Sequence, residues 1–141
     1  MAPPGLGERT AARRRCLRYR ARQHFPHDER PADMTASVPY AAEQPDAAQV
    51  AAMAGPAVLE FGANWCGICK AAQPLIAEAF ADHAALPHLK VEDGSGRPLG
   101  RAFGVKLWPT LVFLRDGKEV ARVVRPESAQ AVRDGFAQIG A

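Results

Sequence analysis

Hydrophobic positions along this chain change their period several times, and each change marks an element. Four short apolar or alternating runs predict strands over residues 57–61, 86–93, 110–114 and 119–124. Between and after them the apolar positions fall at helical spacing. Leu75, Ile76, Ala79 and Phe80 do so within an Ala-rich helix predicted over 70–81, and Val132, Phe136 and Ile139 do so at i, i+4 and i+7 in a closing helix over 127–139. Two shorter helices are expected. One runs over 47–54, capped by Asp46 and ended by Gly55-Pro56; the other runs over 97–103, closed by Gly104. Asp116-Gly117 within 115–118 signals a hairpin turn, and 93–96 a second turn. Pro74 lacks an N–H and should kink its helix. A further short strand over 35–40 would sit at a sheet edge, because Pro39 cannot donate to a ladder. The order β-α-β-α-β-α-β-β-α predicts an α/β fold, a mixed central sheet with helices on both faces.

Composition divides the chain in two. Residues 1–33 hold eight Arg and no Lys against four acids, whereas the remainder holds ten basic and eleven acidic residues, so the net charge of +3 belongs to the tail. A basic arm for nucleic acid is one reading of that tail. Its scarcity of apolar residues favours another, a disordered Arg-rich segment lying upstream of a natural start at Met34. No apolar stretch follows the arginines as a secretory signal requires, and Glu8, Asp28, Glu29 and Asp33 argue against a transit peptide. Residues 34–141 then form the working domain, close to neutral and with no apolar run long enough to span a membrane. The chain has 3 cysteines, too few for a disulfide framework, and this suits a reducing compartment. Cys16, alone in the tail, reads as a bystander.

Cys66 and Cys69 are separated by two residues, a spacing that can close a small disulfide or supply two metal ligands. They sit where a buried strand ends and a helix begins. At that helix N-terminus, unpaired N–H groups and the helix dipole favour a thiolate at Cys66, the species that attacks disulfides. A zinc site would need two more ligands. Only His83 and His88 remain in the folded part; they straddle an element boundary and read as surface residues. A Cys-His hydrolase would leave the second cysteine without purpose.

Trp65-Cys66-Gly67-Ile68-Cys69-Lys70, with Pro74 five residues beyond the second cysteine, resembles the active-site signature of the thioredoxin family. Trp108-Pro109-Thr110 before an apolar strand resembles that family's cis-proline loop. The similarity runs from about Val58 to Gly117 and more loosely onward. It implies a thioredoxin fold, a central mixed sheet of four to five strands flanked by helices on both faces. It also implies that Cys66 is the attacking nucleophile and Cys69 the resolving cysteine. Glu60 stands six residues before Cys66, where the family usually carries a buried aspartate, so it would accept the Cys69 proton, with Lys90 as its partner. Pro109 is expected cis, holding the Trp108 backbone beside Cys66. Trp65, Gly67, Ile68, Trp108, Thr110 and Arg125 would form the substrate groove.

Three departures bear on specificity. Ile68 replaces a common proline, Trp108 is bulkier than the usual isoleucine, and Arg125 stands where many members have glycine. The resemblance implies a cytoplasmic monomer that reduces protein disulfides. It would have no bound cofactor and would draw electrons from a thioredoxin-reductase-like donor; neither nucleic acid nor membrane is expected as a partner. A disulfide oxidase or isomerase, or a binding or scaffold module with little redox activity, are the alternatives.

Overall fold

The computed structural model describes residues 38–141, so the Arg-rich tail, Cys16 and the first part of the predicted strand over 35–40 lie outside the described residues. Its core is the strand β1 (Pro56–Gly62), in which every residue after Pro56 is buried. Such a strand must be covered on both faces, and its apolar run, interrupted only by Glu60, reflects that. The strand β2 (His88–Glu92) pairs with it in parallel, and the helix α2 (Gly67–Phe80) makes the crossover that a parallel pair requires. The strand β3 (Thr110–Arg115) runs antiparallel on the other side of β1, followed by β4 (Lys118–Val124), giving the order β2-β1-β3-β4. Asp116 (φ 51°) and Gly117 (φ 77°) both take positive φ, as a two-residue hairpin loop demands.

Side-chain parity distributes the core. Val58, Leu111 and Phe113 face α2 and the closing helix α4 (Ala129–Gln138), packing on Ile76, Val132 and Phe136. Leu59, Phe61, Val112 and Leu114 face the other way, towards α1 (Ala47–Ala51) and α3 (Pro98–Ala102), where Val50 and Leu99 meet them. Gly135 lets α4 come close to the sheet, since a Cβ there would stand 2.3 Å from the Phe113 ring. Glu60 shares the parity of Val58 and so lies beneath α2.

One expectation is corrected. Residues 38–40 form no strand; Ala41 alone makes a parallel bridge to Val91, exchanging hydrogen bonds with Lys90 and Glu92. Pro39 has no N–H with which to extend that ladder. The cysteine helix starts at Gly67 with Cys66 as its N-cap, the helix-terminal place expected for that residue. The helix runs through Pro74 to Phe80. Gln73 donates its side-chain amide to the Cys69 carbonyl at 3.1 Å, a hydrogen bond that supports the turn before the proline.

Candidate active site

Cys66 occupies the junction of β1 and α2 with extended backbone (φ −78°, ψ 116°), and its Sγ accepts the Cys69 N–H at 3.3 Å. Burial alone would raise its thiol pKa. Hydrogen bonds from the Cys69 side chain and from the Cys69 and Ile68 backbones, with the Arg125 charge, outweigh that and hold it below the ordinary value. Cys69 is 1% exposed and moves the opposite way, to about 11, first through burial and then through its hydrogen bond and charge coupling to Cys66. The shared hydrogen bond pushes the two thiols in opposite directions, favouring a thiolate on Cys66 and a proton on Cys69. Both cysteines are free thiols.

Alkylation by iodoacetamide should therefore rise with pH and reach half its maximum below the midpoint of an ordinary thiol, with Cys66 modified first. Arg125→Ala removes a cation, so it should raise that midpoint and slow alkylation at pH 7 by about twofold, a small change because Arg125 is exposed and screened. A midpoint at or above that of free cysteine would contradict the geometry.

Glu60 is 0% exposed. Its Oε1 accepts the Tyr40 hydroxyl at 2.5 Å and the Gln73 amide at 2.8 Å, and its Oε2 meets His88 Nε2 at 2.8 Å. Burial pushes its pKa up, but the hydrogen bond with His88, the Lys90 charge and the Tyr40 hydroxyl together hold it below the usual carboxylate range. Glu60 is thus an ionised carboxylate with hydrogen-bond partners on both oxygens. Lys90 lies directly opposite it in the β1–β2 register, yet no direct hydrogen bond joins them. The ammonium instead donates to Gln73 Oε1 at 2.6 Å and to the Val38 carbonyl, so the expected pair is bridged by Gln73. Burial lowers the Lys90 pKa.

His88 is likewise no ordinary surface residue: its ring stacks on Phe80 with centroids 4.0 Å apart while it bonds Glu60. His83 packs against Phe136 instead, with ring centroids 4.5 Å apart. Among the described residues no three His, Cys, Asp or Glu side chains converge as a metal site. Sequence reasoning missed Tyr40, Gln73 and His88. Gln73 was accessible, one helical turn past Cys69 on the same face. Tyr40 had no local signal.

On the far side of Cys66 the Trp108–Pro109 peptide is cis and Pro109 is buried. Trp65 is 73% exposed and meets Trp108 edge-to-face with centroids 5.5 Å apart. The Trp108 indole N–H donates to Asp93 Oδ2 at 2.8 Å, which fixes the ring at the surface rather than in the core. Gly67 and Ile68 are exposed beside Trp65, continuing an apolar rim next to Cys66. Arg125 takes a positive φ of 49°, and its Nε donates to the Trp108 carbonyl at 3.0 Å while its backbone N–H donates to the Pro109 carbonyl. It therefore braces the proline loop as well as presenting charge. Thr110 is 1% exposed and donates its hydroxyl to the Leu107 carbonyl at 2.6 Å, so this side chain faces inward and offers nothing to a groove.

The family profile described as thioredoxin matches residues 40–138. Thioredoxin 2 from Pseudomonas aeruginosa PAO1, solved in its reduced form, is 57% identical with a TM-score of 0.67, over 74% of this chain and 97% of that one. The thioredoxin of Chlamydia trachomatis is 46% identical over 74 residues, covering 50% of this chain and 69% of the relative. Thioredoxin H-type 1 of Nicotiana tabacum is 37% identical over 67 residues, 48% of this chain, which spans 53% of that relative's length.

Proposed function

This chain belongs to the thioredoxin family and has the thioredoxin fold, and from that premise we propose that it is a thiol–disulfide oxidoreductase reducing protein disulfides through a Cys66/Cys69 cycle. The observation that supports this most is the opposite polarisation of the two sulfurs, Cys66 held below and Cys69 above the ordinary thiol. The Cys66 thiolate attacks a substrate disulfide, forming a mixed disulfide and releasing one substrate thiolate. Cys69 then attacks the Cys66 sulfur, releasing the second substrate thiolate and leaving a Cys66–Cys69 disulfide. Trp65, Gly67, Ile68 and Trp108 give the substrate chain an apolar rim on which to dock, beside the backbone held by Pro109.

Electrons return from a thioredoxin-reductase-like donor, with no bound cofactor, and a cytoplasmic monomer fits a chain whose cysteines form no structural framework. No helix among the described residues is long and apolar enough to cross a membrane. The test is insulin reduction with dithiothreitol as electron source, together with the equilibrium potential of the pair against glutathione. Reduction well above the dithiothreitol background, with a potential near −270 mV, is the expected result. Reduction no faster than background would overturn the reading. An oxidising potential near −120 mV would favour an oxidase or isomerase instead.

A further inference from the structure

Resolution requires the buried Cys69 thiol to lose its proton, and no hydrogen bond connects it directly to Glu60 among the described residues. Tyr40 neighbours both, lining a small pocket with Cys69 and hydrogen-bonding Glu60. It donates to Glu60 Oε1 at 2.5 Å and accepts from Gln73 Nε2 at 3.1 Å. A phenol oxygen has one donor position and two acceptor positions, so one acceptor position is left. That position is the one a Cys69 S–H would use, and Tyr40 and Cys69 line the same small pocket with Ala63, Gln73 and Lys90. We propose that Tyr40 is the relay through which Cys69 passes its proton to Glu60, an inference that rests on the reading of Cys69 as the resolving cysteine.

Everything around Tyr40 fixes that placement. Its ring is 6% exposed and lies over Gly62, where a Cβ would come within 2.5 Å of the ring. Its backbone is clamped at both polar atoms by Asn64, whose Oδ1 accepts the Tyr40 N–H at 2.8 Å and whose Nδ2 donates to the Tyr40 carbonyl at 3.2 Å. Lys90 Nζ stands 4.7 Å from the ring centroid. Burial first, then the Glu60 charge and hydrogen bond, push the phenol pKa far above its usual value, so it keeps a proton to relay. The Tyr40 hydroxyl also works against the upward shift of the Cys69 thiol.

The step balances. The Cys69 sulfur gives its proton to the Tyr40 oxygen, and Tyr40 gives its own hydroxyl proton to Glu60. The freed electron pair on Cys69 forms the bond to the Cys66 sulfur, and the bond from Cys66 to substrate breaks. That electron pair leaves on the substrate sulfur as thiolate, which takes a proton from water. The two cysteines are oxidised by two electrons and the substrate disulfide is reduced by two. Glu60 later returns its proton to water, and Tyr40 ends as it began. With Cys66 tied up covalently, the hydrogen bond and charge by which it raised the Cys69 pKa are gone, which makes the transfer easier at the moment it is needed.

The test is stopped-flow reaction of the full chain with a chromogenic aromatic disulfide, in which mixed-disulfide formation and resolution appear as separate phases. Tyr40→Phe keeps the ring and removes the hydroxyl. The effect should fall on the second phase, slowing it at least about tenfold at pH 7. The lost rate should return as pH rises towards the ionisation of Cys69 itself, a profile that mere loosening would not produce. Glu60→Gln should slow the same phase, and Tyr40→Phe/Glu60→Gln should be no slower than the worse single variant, since the two act in series. An unaltered second phase in Tyr40→Phe, or losses that multiply, would overturn the relay. Should Tyr40→Phe not fold, 3-fluorotyrosine keeps the hydroxyl but makes it more acidic, and the only other tyrosine is Tyr19. An unchanged second phase there would equally overturn the relay. If the unmodified chain shows no first phase, the functional reading itself fails, an outcome distinct from a first phase followed by unaffected resolution.

Discussion

Cys66→Ser is expected to reduce insulin-disulfide reduction by about three orders of magnitude or more, to the dithiothreitol background. The reason is chemical, because the structural role of Cys66 survives the change. Its Sγ accepts the Cys69 N–H as the N-cap of α2, and a serine hydroxyl is among the best groups for that position. Thermal unfolding should therefore stay close to that of the unmodified chain while activity disappears. Cys69 cannot substitute as nucleophile. It is buried, and its thiol, pushed to about 11, holds little thiolate at neutral pH. Cys69→Ser should behave differently, reacting once and stopping at a mixed disulfide detectable as added mass. Residual turnover in Cys66→Ser would mean that the second sulfur attacks substrate, contrary to its burial.

Phe136→Ala should lower the free energy of unfolding by about 3–5 kcal/mol, the range for deleting a buried phenylalanine ring. Phe136 is 1% exposed and touches three rings, with centroids 4.8 Å from Phe80, 5.8 Å from Phe113 and 4.5 Å from His83. It also anchors α4, a helix of 10 residues too short to be stable by itself. The cavity cannot close easily, since Phe113 is held in the central sheet and Phe80 is stacked on His88. Urea unfolding should show a lower midpoint with a similar slope. Val120→Ala on the exposed edge strand should change stability by only about 0.5 kcal/mol or less. Equal losses at the two positions would refute the assignment of the core.

Most of the fold could be read from local pattern. The apolar runs through Val58–Leu59 and Leu111–Val112 marked the inner strands, Asp116-Gly117 gave the hairpin, and Val132, Phe136 and Ile139 gave the closing helix with its buried face. The strand over 35–40 did not survive, because only Ala41 finds a partner on β2 and Pro39 cannot prolong the ladder. Within the site, the cysteine pair and its position at a helix start came from spacing alone. The proline loop came from resemblance. The inward turn of Thr110 and the bracing of the Trp108 carbonyl by Arg125 came from neither, since both depend on how two distant loops meet.

The sequence by itself determined where strands and helices fall, that a cysteine pair caps a helix, and that a carboxylate lies on an otherwise apolar strand. Those signals act over a turn or a few alternating residues, which is the range of capping, periodicity and turn chemistry. Tertiary structure decided what the carboxylate is. Tyr40 from the segment before α1, Gln73 from α2, and His88 and Lys90 from β2 converge on Glu60 from 20, 13, 28 and 30 residues away in the chain. Its charge state follows from the sum of their hydrogen bonds and fields against the cost of burial. No local pattern encodes a sum over groups that only folding brings together.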